Sequence, residues 1–116
     1  MRLQADIHDG VGILRLQGRF VTGSDGDLVS AQNSLEASGI AHAIIDLSAV
    51  PYIDSTGLAF VVELHKSLAQ RGGQLVLAGP NARVREVLEM TRIAEIVPVY
   101  DDVEDAEGAL RGEVLC

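Results

Sequence analysis

Hydrophobic and polar positions alternate clearly at the start of the chain. Residues 3–7 and 11–17 each read as a strand, and in the second Leu14 and Leu16 alternate with Arg15 and Gln17. That is the period of a half-buried strand. The His8-Asp9-Gly10 run between them carries a turn signal, so the two strands form a hairpin. The glycine-broken segment 18–27 reads as a loop. A helix is expected from Asp25 to Ala37, with Leu28, Ala31 and Leu35 on one face and Gly39 as its stop. Residues 42–47 (HAIIDL) are a continuous apolar run, the mark of a central strand covered along most of its length.

The pattern then shifts to the helical period. Residues 55–73 (STGLAFVVELHKSLAQRGG) read as a helix with Ser55 or Thr56 as N-cap and Gly72-Gly73 as the stop. At 100° steps Leu58, Val61, Val62, Leu64, His65 and Leu68 share a broad buried face, and Glu63, Lys66, Ser67 and Gln70 lie opposite. His65 is expected to be a partly buried structural histidine. Residues 74–79 form a strand, and 80–93 a helix capped by Asn81, with Val84, Val87, Leu88 and Thr91 on one face. Residues 96–100 (IVPVY) give a last strand. A last helix opens at Asp101 and Asp102, where a helix N-terminus favours acidic residues. The order ββ-α-β-α-β-α-β-α implies an α/β fold with a mixed, mostly parallel sheet of about five strands, about four helices, and an antiparallel N-terminal edge hairpin.

Composition narrows the function. A chain of 116 residues fits one domain, spanning 1–116, and 47% hydrophobic content with only 3% aromatics requires an aliphatic core. The net charge of −8 disfavours direct contact with nucleic acid and with an anionic membrane surface. Cys116 is the one cysteine, so no intrachain disulfide is expected, and nothing has metal-ligand spacing. No apolar run reaches membrane-spanning length. These features together lead to the expectation of a cytoplasmic protein.

Candidate chemistry concentrates in Asp54-Ser55-Thr56-Gly57, which follows a strand and opens a helix. Unpaired N–H groups and partial positive charge collect at such a point. Two readings stand side by side. The hydroxyls are an ordinary cap, with Asp54 anchoring the loop backbone, or one of them is a modification site. Local geometry keeps Thr56 as a rival to Ser55. Phe60, at the fringe of the buried face, belongs either to a partner surface or to packing under a neighbouring helix. The glycines of 18–26 form neither a phosphate-binding loop nor a dinucleotide fingerprint, and His8, His42 and His65 complete no catalytic triad. No cofactor, metal site or self-contained active site is expected.

The run from Ile44 to Ile93 resembles the STAS domain of bacterial anti-sigma factor antagonists. The residues that carry the resemblance are Asp46-Leu47-Ser48, Asp54-Ser55-Thr56-Gly57-Leu58, Gly72-Gly73, Pro80 and Val87-Leu88. It implies a protein without catalysis of its own that binds an anti-sigma factor serine kinase and releases the sigma factor. Phosphorylation at Ser55 breaks that complex, and a phosphatase resets it. The candidate partner surface comprises Asp54, Ser55, Thr56, Gly57, Ala59 and, on one of its two readings, Phe60. The chain departs from the family at Val21, where an Asp near the phosphorylation site is common, and Arg19 or Thr22 is the candidate replacement. Two other readings remain within the resemblance: an accessory subunit of an ABC-type phospholipid transporter, and a nucleotide-binding module.

Overall fold

The computed structural model describes residues 2–8, 10–18 and 25–115, with the backbone alone for 25–28 and 111–115. Five strands form one sheet in the order β1-β2-β3-β4-β5, with β1 (Arg2–His8), β2 (Val11–Gln17), β3 (His42–Ala49), β4 (Gln74–Ala78) and β5 (Val99–Tyr100). β1 and β2 pair antiparallel around Gly10, and the other three pairings are parallel. The helices are α1 (Asp25–Ala37), α2 (Ser55–Gln70), α3 (Ala82–Met90), α4 (Ile93–Ile96) and α5 (Val103–Leu115). The expected mixed, mostly parallel sheet with its antiparallel edge hairpin is therefore present.

The pleat sorts the aliphatic residues between two cores. Leu14, Leu16, Ile45, Leu47, Leu75 and Leu77 face α1–α4, and all are buried. Val11, Ile13, Ile44, Val76 and Ala78 face the other way, onto Ala106 and Leu110 of α5. β3 is thus covered on both faces, which is why its sequence is a continuous apolar run. β1 is different, because six of its seven residues are exposed.

α2 follows the expected stripe. Val61, Leu64 and Leu68 are fully buried, while Leu58, Val62 and His65 are half-buried along its flanks. Its start differs from expectation. The N-cap is Asp54, in extended backbone at φ −111° and ψ −171°, rather than Ser55 or Thr56. A carboxylate there accepts two N–H bonds at once and carries a full negative charge at the positive end of the helix.

The third helix also differs. It was expected through residue 93, but α3 ends at Met90 with Thr91 exposed as its C-cap. Arg92 turns into the left-handed region at φ 64°, and the short α4 follows, so there are five helices rather than about four. The break swings Ile93 and Val97 into the core beneath α2. The last strand shrinks to Val99–Tyr100 because Ile96 belongs to α4. Asn81 caps α3 as expected, its Oδ1 accepting from Val84 N–H at 2.8 Å.

Candidate functional site

Asp54 organises the start of α2. Its Oδ1 accepts from Thr56 N–H at 2.9 Å and from Gly57 N–H at 3.2 Å, and its backbone carbonyl accepts from Leu58 N–H at 3.0 Å. Two of the helix-start donors that an external anion would use, the N–H groups of Thr56 and Gly57, are therefore already engaged within the chain. That arrangement favours the anchoring role expected of Asp54. It also weighs against a nucleotide phosphate held at this terminus.

The consequences for the two hydroxyl residues differ. Ser55 is the first helical residue and is exposed, and its hydroxyl makes no hydrogen bond among the described residues. Thr56 is half-buried and Gly57 is buried. Ala59 is exposed one turn on from Ser55. Phe60 is half-buried and packs against the α1–α4 core, the packing alternative expected for it. The structure thus brings Asp54, Ser55, Thr56, Gly57 and Ala59 to one helix start. Arg19 and Thr22, and with them Val21, lie outside the described residues.

An open groove of about 380 Å³ begins at Ser55 and runs between α2 and the α3–α4 junction, over Leu58, Ala59, Val62, Thr91 and Ile93. It meets a narrower apolar crevice of about 240 Å³ that shares Val62 and Ile93 and continues to His65, Lys66, Ile96 and Val97. His65 is half-buried with Nδ1 enclosed and unbonded, in keeping with the structural place expected for it. Sequence reasoning missed this groove. Thr91 and Ile93 reach α2 only because the chain breaks at Arg92, and no glycine or proline marks that break.

A polar pocket lies on the other side of the sheet, where β2, β3 and β4 end and α5 begins. Arg15 Nη1 sits 3.5 Å from Asp46 Oδ2, and Ser48 N–H donates to Asp46 Oδ1 at 3.0 Å. Asp102 Oδ1 accepts from Asp105 N–H at 2.7 Å and so caps α5. These carboxylates are engaged in holding the fold together. Among the described residues no helix is long and apolar enough to cross a membrane.

Comparison with known proteins gives consistent results. The family model described as the STAS domain matches residues 2–106. A putative anti-sigma factor antagonist, BtrV, from Bordetella bronchiseptica is 34% identical over 112 residues, 96% of each chain. An anti-sigma F factor antagonist from Paenibacillus polymyxa is 27% identical over 108 residues, covering 91% of this chain and 92% of the relative. Among solved structures, a putative anti-sigma factor antagonist from Thermotoga maritima superposes with a TM-score of 0.88 at 28% identity, over 94% of each chain.

Proposed function

The chain belongs to the STAS domain family, and from that premise we propose that it is an anti-sigma factor antagonist switched by phosphorylation of Ser55. The observation that carries the reading is the division of labour at the start of α2. Asp54 does the capping, so the hydroxyl of Ser55 is left exposed beside an apolar groove.

In the unphosphorylated state the α2 start and the groove dock onto an anti-sigma factor serine kinase, and the sigma factor is released. The kinase transfers the γ-phosphoryl group of ATP to Ser55 Oγ, with loss of the hydroxyl proton and departure of ADP. The product carries about −1.5 to −2 added charges at one point. Those charges lie next to the Asp54 carboxylate, which already holds the N–H donors of Thr56 and Gly57. The phosphate therefore faces the interface, where its desolvation beside a docked surface is costly. A phosphatase restores the binding state. The exposure of Ser55 and the half-burial of Thr56 favour Ser55 as the acceptor. The setting is the cytoplasm, where sigma factors act.

The test is a pull-down from lysate of the native host with wild-type and Ser55→Asp baits, read by mass spectrometry. An ATP-binding serine kinase enriched on the wild type alone supports the reading. A transporter ATPase recovered equally on both baits overturns it, and makes the protein an accessory subunit.

A further inference from the structure

Among the described residues β1 lies at the edge of the sheet and pairs on one side only, with β2. Natural sheets usually shorten such a strand, bulge it or interrupt it with proline. Here the strand is seven residues long, pairs with β2 in continuous register and contains no proline. Ile7 is 56% exposed, and Gln4 and Ala5 are exposed as well. Leu3, Ala5 and Ile7 point to the α1 side, since Leu3 and Ala5 stand opposite Leu16 and Leu14. Arg2, Gln4, Asp6 and His8 point to the α5 side.

On that α5 side charge alternates from strand to strand. Asp46 of β3 lies 3.5 Å from Arg15 of β2, and Arg15 Nε lies 3.6 Å from Asp6 of β1. The row ends at the sheet edge on a carboxylate that is 47% exposed. The next strand in the alternation should therefore bring a cation opposite Asp6.

A second copy of β1 supplies it. If two β1 strands meet antiparallel about a two-fold axis at Gln4, each Arg2 stands opposite the other copy's Asp6, and Leu3 stands opposite Ala5. The pattern is self-complementary at both ends at once, as an isologous contact requires. We infer that β1 is a self-association edge, through which two copies join their sheets into one ten-stranded sheet. Opposed charges and apolar pairs of this kind each stabilise strand pairing. The net charge of −8 per chain opposes association, but at physiological salt its reach is cut to about 8 Å. Ser55 follows β3, two strands in from the edge, so the pair presents two copies of that site. The inference does not depend on the proposed function.

The test is sedimentation velocity on the full chain across the micromolar range, with Arg2→Asp, Asp6→Arg and an equimolar mixture of the two. Wild type is expected to dimerise with rising concentration. Each variant alone should dimerise about tenfold more weakly or worse, because like charges face each other twice. The mixture should regain the dimer. The introduced carboxylate of one chain then meets the introduced guanidinium of the other, and the first chain's native Asp6 meets the second chain's native Arg2.

If Asp6→Arg is poorly folded because it also faces Arg15, cysteine cross-linking decides in its place. In a Cys116→Ser background, Gln4→Cys is expected to form a cross-chain disulfide under mild oxidation, because the two-fold sets residue 4 against itself at disulfide range. Arg2→Cys should not. A wild type that stays monomeric overturns the inference. So does a mixture that fails to reassociate from folded variants, or equal cross-linking at positions 2 and 4.

Discussion

Ser55 is left exposed at the start of α2, its hydroxyl outside the cap, because Asp54 has taken over that position. Three consecutive residues, Asp54, Ser55 and Thr56, are all good N-cap types, and only one can occupy the position. The carboxylate holds it by accepting two N–H bonds. Removing the cap should therefore be costly where removing the hydroxyl is not. Asp54→Ala is expected to lose about 1–2 kcal/mol, seen as a fall in Tm of about 4–8 °C. Ser55→Ala should stay within about 0.5 kcal/mol of wild type. Thermal unfolding followed by circular dichroism measures both, and equal losses would return the cap to Ser55. A capped helix start was readable from residues 54–57, but the choice among three adjacent cap formers was not. It depends on the backbone angles that the preceding loop imposes on Asp54.

At the scale of elements, the neighbouring glycines Gly72 and Gly73 end α2 for different reasons. Gly72 has φ 77°, with open space where a side chain would go. Gly73 has ordinary φ, but a Cβ there would come within 1.5 Å of the Ala41 carbonyl oxygen, a backbone atom that cannot swing aside. Gly72→Ala should cost about 1–2 kcal/mol, the strain of a left-handed alanine. Gly73→Ala should cost about 3 kcal/mol or more, the upper end of overpacking. Chemical denaturation of both variants tests the order, and a milder effect at Gly73 would contradict the close approach of the α2–β4 turn to the chain before β3.

Arg92 is the complementary case, a left-handed residue that is not glycine. Arg92→Gly should stabilise the fold by about 1 kcal/mol as the left-handed strain is relieved. The same denaturation experiment reads it, and a loss of stability would count against that strain. These elements also show where sequence is legible. The α2 stripe, the buried run of β3 and the Asn81 cap follow from period and residue type, and all were expected. The α3–α4 break was not, because Arg92 carries no turn signal and its conformation is imposed by the burial of Ile93 and Val97 beneath α2. The groove beside Ser55 depends on that break and was hidden with it.

At the scale of the whole molecule, the site sits on a rigid base. α2 is anchored by three fully buried residues over a sheet packed on both faces, and the Thr56 and Gly57 donors of its first turn are engaged by Asp54 before any partner arrives. A charge added at Ser55 finds the N–H groups of Thr56 and Gly57 already engaged by Asp54, and no loose helix to melt. The proposed switch should therefore act through the interface and leave the fold unchanged. Ser55→Asp places a carboxylate at the positive end of α2, where the helix dipole favours it by about 0.3–1 kcal/mol, while the adjacent Asp54 repels it. These opposing effects should leave Tm within about 3 °C of wild type and amide exchange unaltered beyond the first turn of α2. Affinity for the kinase should nevertheless fall about a hundredfold, some 2.7 kcal/mol of lost binding. Calorimetry against the kinase, set beside hydrogen exchange of the free proteins, separates the two effects. If weak binding came with broad loss of protection across α2 and β3, the switch would be a conformational one, and the satisfied cap at Asp54 would not be its foundation.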